Sequence, residues 1–106
     1  MKFDMDNNEE DDILMRFEGK NGVTLTMMTA PPETFGGNDD LEPQITGWEK
    51  QIYAIFNENA VERMIRESIE TNGETYGTQA AAFLPITLIM RKAMEAATKY
   101  QDENSI

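Results

Sequence analysis

The strongest constraint on the fold is a pair of alternating runs around an Asn-Gly: Ile13-Leu14-Met15-Arg16-Phe17-Glu18-Gly19-Lys20-Asn21-Gly22-Val23-Thr24-Leu25-Thr26-Met27-Met28-Thr29. Alternation sends apolar side chains to one face and polar ones to the other, and Asn-Gly supplies the turn between them. The faces also fix the register. A loop of Lys20, Asn21 and Gly22 sets Phe17 opposite Leu25 and Met15 opposite Met27, with Arg16 facing Thr26 and Glu18 facing Thr24. A shorter Asn21-Gly22 loop would set Phe17 against Thr26 and mix the faces, a slip that is disfavoured wherever one face is buried. The spacing therefore predicts a hairpin over 13–29, closed by a type I turn with Gly22 in the left-handed region and ending in a bulge.

Residues 30–45 show neither period and carry three of the four prolines, so they read as a loop. Phe35 and Leu41 are its apolar anchors, while Glu33, Asp39, Asp40 and Glu42 are expected to face water. Thr46-Gly47-Trp48-Glu49 fits a capping box and predicts a helix over about 47–57, with Trp48, Ile52, Ile55 and Phe56 on one side. The stripe Val61, Met64, Ile65 and Ile69 is out of phase with it. Asn59 and Glu62 then cap a second helix over about 60–72, closed by Asn72-Gly73, the alternative being one bent helix. A third helix over 78–101 keeps Ile86, Ile89, Ala93, Ala97 and Tyr100 in helical spacing, and Pro85 is expected to kink it or to stand in its first turn.

Residues 1–12 read as an acidic arm, or as a short edge strand over 2–6 where Phe3 and Met5 alternate with Asp4 and Asp6; residues 102–106 should fray. The expected fold is thus α+β: one domain over 13–101 in which an N-terminal antiparallel hairpin is followed by three helices packed on one of its faces. A chain of 106 residues and 12.0 kDa is long enough for one core without staples.

Composition decides the chemistry. The chain has neither His nor Cys, which removes imidazole acid/base work, thiol nucleophiles, Ser-His-Asp triads, zinc fingers and disulfides from its repertoire. Nine Lys+Arg stand against 20 Asp+Glu, a net charge of −11, of which residues 1–42 carry −8. Such a surface repels phosphate, so neither nucleic acid nor an anionic membrane is an expected direct partner. No apolar run approaches the roughly 18 residues of a spanning helix. Met1-Lys2-Phe3-Asp4 lacks the layout of a signal peptide, so a cytoplasmic protein is expected.

The candidate sites follow from the acids. Asp4-x-Asp6-x-Asn8 opens like a calcium loop but has Glu9 where Gly is needed and Met15 where the bidentate Glu belongs; Asn38, Asp40 and Glu42 repeat the spacing with Pro43 in the Gly position. A solvated loop explains residues 39–42 better than a weak divalent-cation site. No catalytic residue, metal or cofactor is therefore expected. Glu62 with Arg66 and Glu95 with Lys99 are spaced for helix-face pairing, not for a paired-carboxylate active site.

The leading expectation is a small acidic protein-binding module. It presents Asp11, Asp12, Glu33, Asp39, Asp40 and Glu42 to a basic, ordinarily nucleic-acid-binding patch of a partner protein, and so inhibits by charge mimicry. The first alternative is a homo-oligomeric structural or assembly-factor protein. Eight Met suit an adaptable contact surface, and Leu14 and Met28, opposite each other on the polar hairpin face, are its expected homodimer contact. The second alternative is a carboxylate or metal-dependent enzyme.

Overall fold

A computed structural model describes residues 13–104. The expectations for residues 1–12, including the edge strand over 2–6 and the roles of Asp11 and Asp12, lie outside the described residues. The fold is α+β, a four-stranded sheet followed by two helices. In chain order the strands are β1 (Ile13–Glu18), β2 (Thr24–Ala30), β3 (Gln44–Trp48) and β4 (Gln51–Asn57), then α1 (Glu58–Tyr76) and α2 (Thr78–Asn104).

The first hairpin has the register that the faces dictate: Phe17 pairs with Leu25, Met15 with Met27, Arg16 with Thr26 and Glu18 with Thr24. Its turn differs from the expected type I. Asn21 (φ 62°) and Gly22 (φ 77°) both lie in the left-handed region, and Val23 N–H donates to Lys20 O at 3.3 Å. Two positive φ values in succession make a type I′ turn, whose twist matches that of the strands it joins, and Asn tolerates the conformation better than other non-Gly residues. The bulge sits at the far end of the hairpin: an irregularity between Ile13 and Met15 places Ile13, not Leu14, opposite Met28.

The helix expected over 47–57 is instead a second hairpin. β3 and β4 are antiparallel, with Gln44 opposite Ile55, Thr46 opposite Tyr53 and Trp48 opposite Gln51, joined through Glu49 and Lys50. The capping box does not form, because Thr46 and Trp48 are strand residues. Ile52 and Phe56 belong to the helical stripe but also, with Ala54, to a period of two, and the β-branched and aromatic content of Ile-Tyr-Ala-Ile-Phe favours the pleat. The sheet order is β1-β2-β4-β3, and the hairpins meet where β2 and β4 pair in parallel, Leu25 with Ile52 and Met27 with Ala54.

This topology explains the long loop. Parallel β2 and β4 end at the same edge of the sheet, so residues 31–43 must pass the C-terminal end of β4 to reach β3 on its far side. The crossing is tethered. Buried Asn57, the last residue of β4, donates through Nδ2 to Asn38 O at 2.9 Å, and Arg63 and Lys92 reach Asp39 and Glu42 from the helices.

Asn57 also caps α1, its Oδ1 accepting from Asn59 N–H at 2.9 Å. The helix therefore starts earlier than the expected 60, and Asn59 is not the cap. It also runs past Asn72-Gly73 to Tyr76, where Gly77 (φ 90°) lets the chain turn directly into α2. In α2 the helix continues through Pro85 and on to Asn104, beyond the expected end at 101. Proline at 85 leaves the Ala81 carbonyl without its helical donor. The hydroxyl of Ser68 on α1 takes that place, donating to Ala81 O at 2.6 Å while accepting from Asn72 Nδ2 at 3.4 Å.

Both helices pack on one face of the sheet. Under them lie the rows Phe17-Leu25-Ile52-Gly47 and Met15-Met27-Ala54-Ile45, closed above by Val61 and by the row Ile89, Ala93, Ala97 of α2. The small residues bring the helix close to the sheet: a Cβ on Gly47 would stand 3.0 Å from the Tyr100 hydroxyl. Burying side chains such as Met27, Ile52, Phe56 and Ile89 stabilises the fold by roughly 1.5–3 kcal/mol each.

Candidate functional site

The expected acidic patch is divided by the fold. Asp39 is held twice by Arg63, whose Nη1 donates to Oδ2 at 2.6 Å and whose Nη2 donates to the backbone O at 3.0 Å. Hydrogen bonding to Asp39, with the charges of Asp39 and Glu67, holds the Arg63 guanidinium above its ordinary pKa. Glu42 pairs with Lys92 at 2.8 Å. Asp40 Oδ1 accepts from Glu42 N–H at 3.1 Å, and Asn38 Oδ1 accepts from Asp40 N–H at 3.1 Å, an Asx-type arrangement that shapes the crossing.

Two of the acids expected to meet a partner are thus engaged by the chain's own bases. Both pairs are exposed and screened by water, so they hold the crossing loop in place and add little to the stability of the fold. Glu33 and Asp40 stand exposed with no salt bridge among the described residues. Among those residues no group of three acids converges as metal ligands, in the 39–42 segment or elsewhere.

The sheet face turned away from the helices is built differently. Across it run the rows Glu18-Thr24-Gln51-Trp48, Arg16-Thr26-Tyr53-Thr46 and Ile13-Met28-Ile55-Gln44. Arg16 Nε donates to Thr26 Oγ1 at 3.2 Å, and the Tyr53 hydroxyl donates to Gln51 Oε1 at 2.8 Å. The three rows hold one acid, Glu18, and one base, Arg16, and so are neutral in a chain of net charge −11. Trp48 is 76% exposed at the end of the first row, on the outer strand β3. The sequence suggests Trp48 as a buried helix residue; alternation in β3 puts Gly47 under the helices and turns Trp48 outward. Leu14 is 37% exposed and Met28 is half-buried.

Depletion of charge with enrichment in aromatic and Met side chains is the composition of interface cores. The hairpin half of this face, Met28 included, follows from the alternation of residues 13–29, whereas its β3 and β4 half, Trp48 and Tyr53 included, is hidden when 47–57 is read as a helix. The β-rich run 51–57 is the signal that reveals it.

Tyr76, Phe83 and Leu84 are further exposed large side chains, all on the helices. No described helix is long and apolar enough to cross a membrane. No family model matches this chain, and neither a curated protein nor a solved structure matches it significantly.

Proposed function

We propose that this protein is a non-catalytic protein-binding module that makes contact through the sheet face turned away from the helices, anchored by Trp48, with its negative charge guiding a basic partner to that face. The observation that carries this reading is the coincidence of an exposed Trp with a neutral, aromatic and Met-bearing surface on an otherwise acidic chain. Tryptophan is among the side chains most enriched in the energetic hot spots of interfaces, and Trp48 stands exposed in the row Glu18-Thr24-Gln51-Trp48. Net charge acts mainly on the rate of encounter and on rejection of acidic competitors. The loop acids have a smaller part in this proposal than the sequence assigns them: Asp39 and Glu42 already hold internal cations, leaving Glu33 and Asp40 to contribute to the field. Inhibition of a nucleic-acid-binding partner is the form of this function that the −11 charge favours, since phosphate and a carboxylate-rich surface draw on the same basic patch.

A second reading, homodimerisation, draws on the same face. Arg16 and Glu18 are both on it, and in a two-fold contact each has a partner of opposite sign on the other copy.

Capture of partners from a lysate of the source cell, by the wild-type chain, by Trp48→Ala and by a Glu33→Lys/Asp40→Lys double variant, tests the proposal at low and high salt. The tryptophan variant should lose the partner at both salt concentrations, and the charge variant chiefly at low salt. Capture unaffected by Trp48→Ala would refute the proposed contact. Light scattering that gives 24 kDa in place of 12 kDa, abolished by Trp48→Ala, would favour the homodimer.

A further inference from the structure

A second feature lies on the helix side of the sheet and shares only Glu18, at the rim, with the proposed contact face. The helices pack on β2 and β4, and α2 also on β3, while Met15 and Phe17 of the outer strand β1 stay only half-buried. The gap is a cavity of about 580 Å³, within the range of roughly 300–1,000 Å³ typical of small-molecule sites. Its walls are Phe17, Val23, Leu25, Ile52, Met94 and Ala97. It stays open because Ala97 is too short to reach β1 and because Gly47 draws the Tyr100 end of α2 toward β3.

The mouth is cationic. Lys20 stands in the β1–β2 turn and Lys50 in the β3–β4 turn, and the two turns are adjacent: Thr24 N–H donates to Lys50 O at 2.8 Å, and a Cβ on Gly22 would lie 3.8 Å from Lys50 Cδ. Glu18, the last residue of β1, borders the opening from the rim of the sheet although its row belongs to the opposite face, so the mouth counts two cations against one acid in a strongly acidic chain.

We propose that the cavity binds a single-chain anionic amphiphile, an alkyl carboxylate. Its tail lies along Phe17, Leu25, Ile52 and Ala97, and its head lies between the ammonium groups of Lys20 and Lys50. An uncharged chain leaves that pair of cations without a counterpart, and a cationic chain meets repulsion.

The test is a titration of the full chain with dodecanoate below its micelle concentration, followed by two-dimensional amide NMR, with decanoate, octanoate and dodecyltrimethylammonium alongside. Binding should saturate, with shifts confined to residues 17–25, 50–52 and 94–101. Affinity should fall about fourfold for each methylene removed from the tail. A Lys20→Gln/Lys50→Gln variant should bind about tenfold more weakly and Glu18→Gln more tightly, while Thr98→Trp, placed at the exposed mouth, should block entry. Should Thr98→Trp fail to fold, the surface lysine variant decides. Absence of saturation, shifts elsewhere, indifference to tail length or equal binding of the cationic amphiphile would each overturn the proposal. None of these outcomes bears on Trp48, so the two proposals fail separately.

Discussion

Ser68→Ala removes one oxygen, yet the structure assigns it a large cost. Pro85 has no N–H, so the carbonyl of Ala81, a residue with 0% exposure, depends on the Ser68 hydroxyl at 2.6 Å. A buried acceptor left unpaired costs about 1–3 kcal/mol. For a domain of this size a loss of about 2 kcal/mol lowers Tm by roughly 8–16 °C. The control is Pro85→Ala, which restores an N–H aimed at Ala81 O. In that background Ser68→Ala should cost less than about 0.5 kcal/mol, giving a coupling energy of about 1–2 kcal/mol between two residues on different helices. Any cavity left by losing the proline ring is common to both arms and cancels. The assay is urea unfolding of the four proteins by far-UV circular dichroism, with equal m-values required before midpoints are compared. Equal costs of Ser68→Ala in the two backgrounds would refute the claim that the hydroxyl substitutes for the missing helical donor.

Three further outcomes are expected. Asn57→Ala should destabilise by about 2 kcal/mol, losing both the α1 cap and the tether to Asn38, whereas Asn57→Ser, which keeps a capping oxygen, should cost about half as much in thermal unfolding. Met27→Ala should cost about 2–5 kcal/mol in urea titration, and Met28→Ala on the face turned away from the helices under about 1 kcal/mol; equal costs would contradict the assignment of the two faces. Asp39→Asn and Glu42→Gln should each leave the unfolding midpoint nearly unchanged but speed proteolytic cleavage within 36–43, because each weakens a tether on the crossing loop.

From Met15 to Met27 the first hairpin was legible to the register of single residues because alternation in both strands and an Asn-Gly between them agree there. Its open end was not, since nothing in the alternation announces the bulge that sets Ile13, in place of Leu14, opposite Met28. The second hairpin was not legible, because its signals conflict. Thr46 and Glu49 imitate a capping box, and Ile52, Ile55 and Phe56 satisfy a helical period while Ile52, Ala54 and Phe56 satisfy a strand period. The turn at Glu49-Lys50 has no glycine or asparagine, and Glu49 adopts φ 56° without any local sequence preference for it.

The helices downstream were legible in kind, but their ends were set by tertiary contacts. Asn57 is recruited as a cap because β4 ends there, and Pro85 is tolerated because Ser68 is at hand. The acids of the 33–42 loop were correctly read as a loop and incompletely read as a surface, since sequence gives no way to see Arg63 and Lys92 arriving from residues 24 and 50 positions away. Trp48 illustrates the same limit: its exposure follows only once residues 44–48 are known to be an outer strand.

Site-specific photo-crosslinking in the source cell tests the central claim most directly. A benzoylphenylalanine is placed singly at position 48, 33, 40 or 83, and the adducts are compared. Contact through the sheet face turned away from the helices predicts a discrete adduct from position 48, weak or no adducts from positions 33 and 40, and none from the helix position 83. A strong adduct from 33, 40 or 83 with none from 48 would contradict the account.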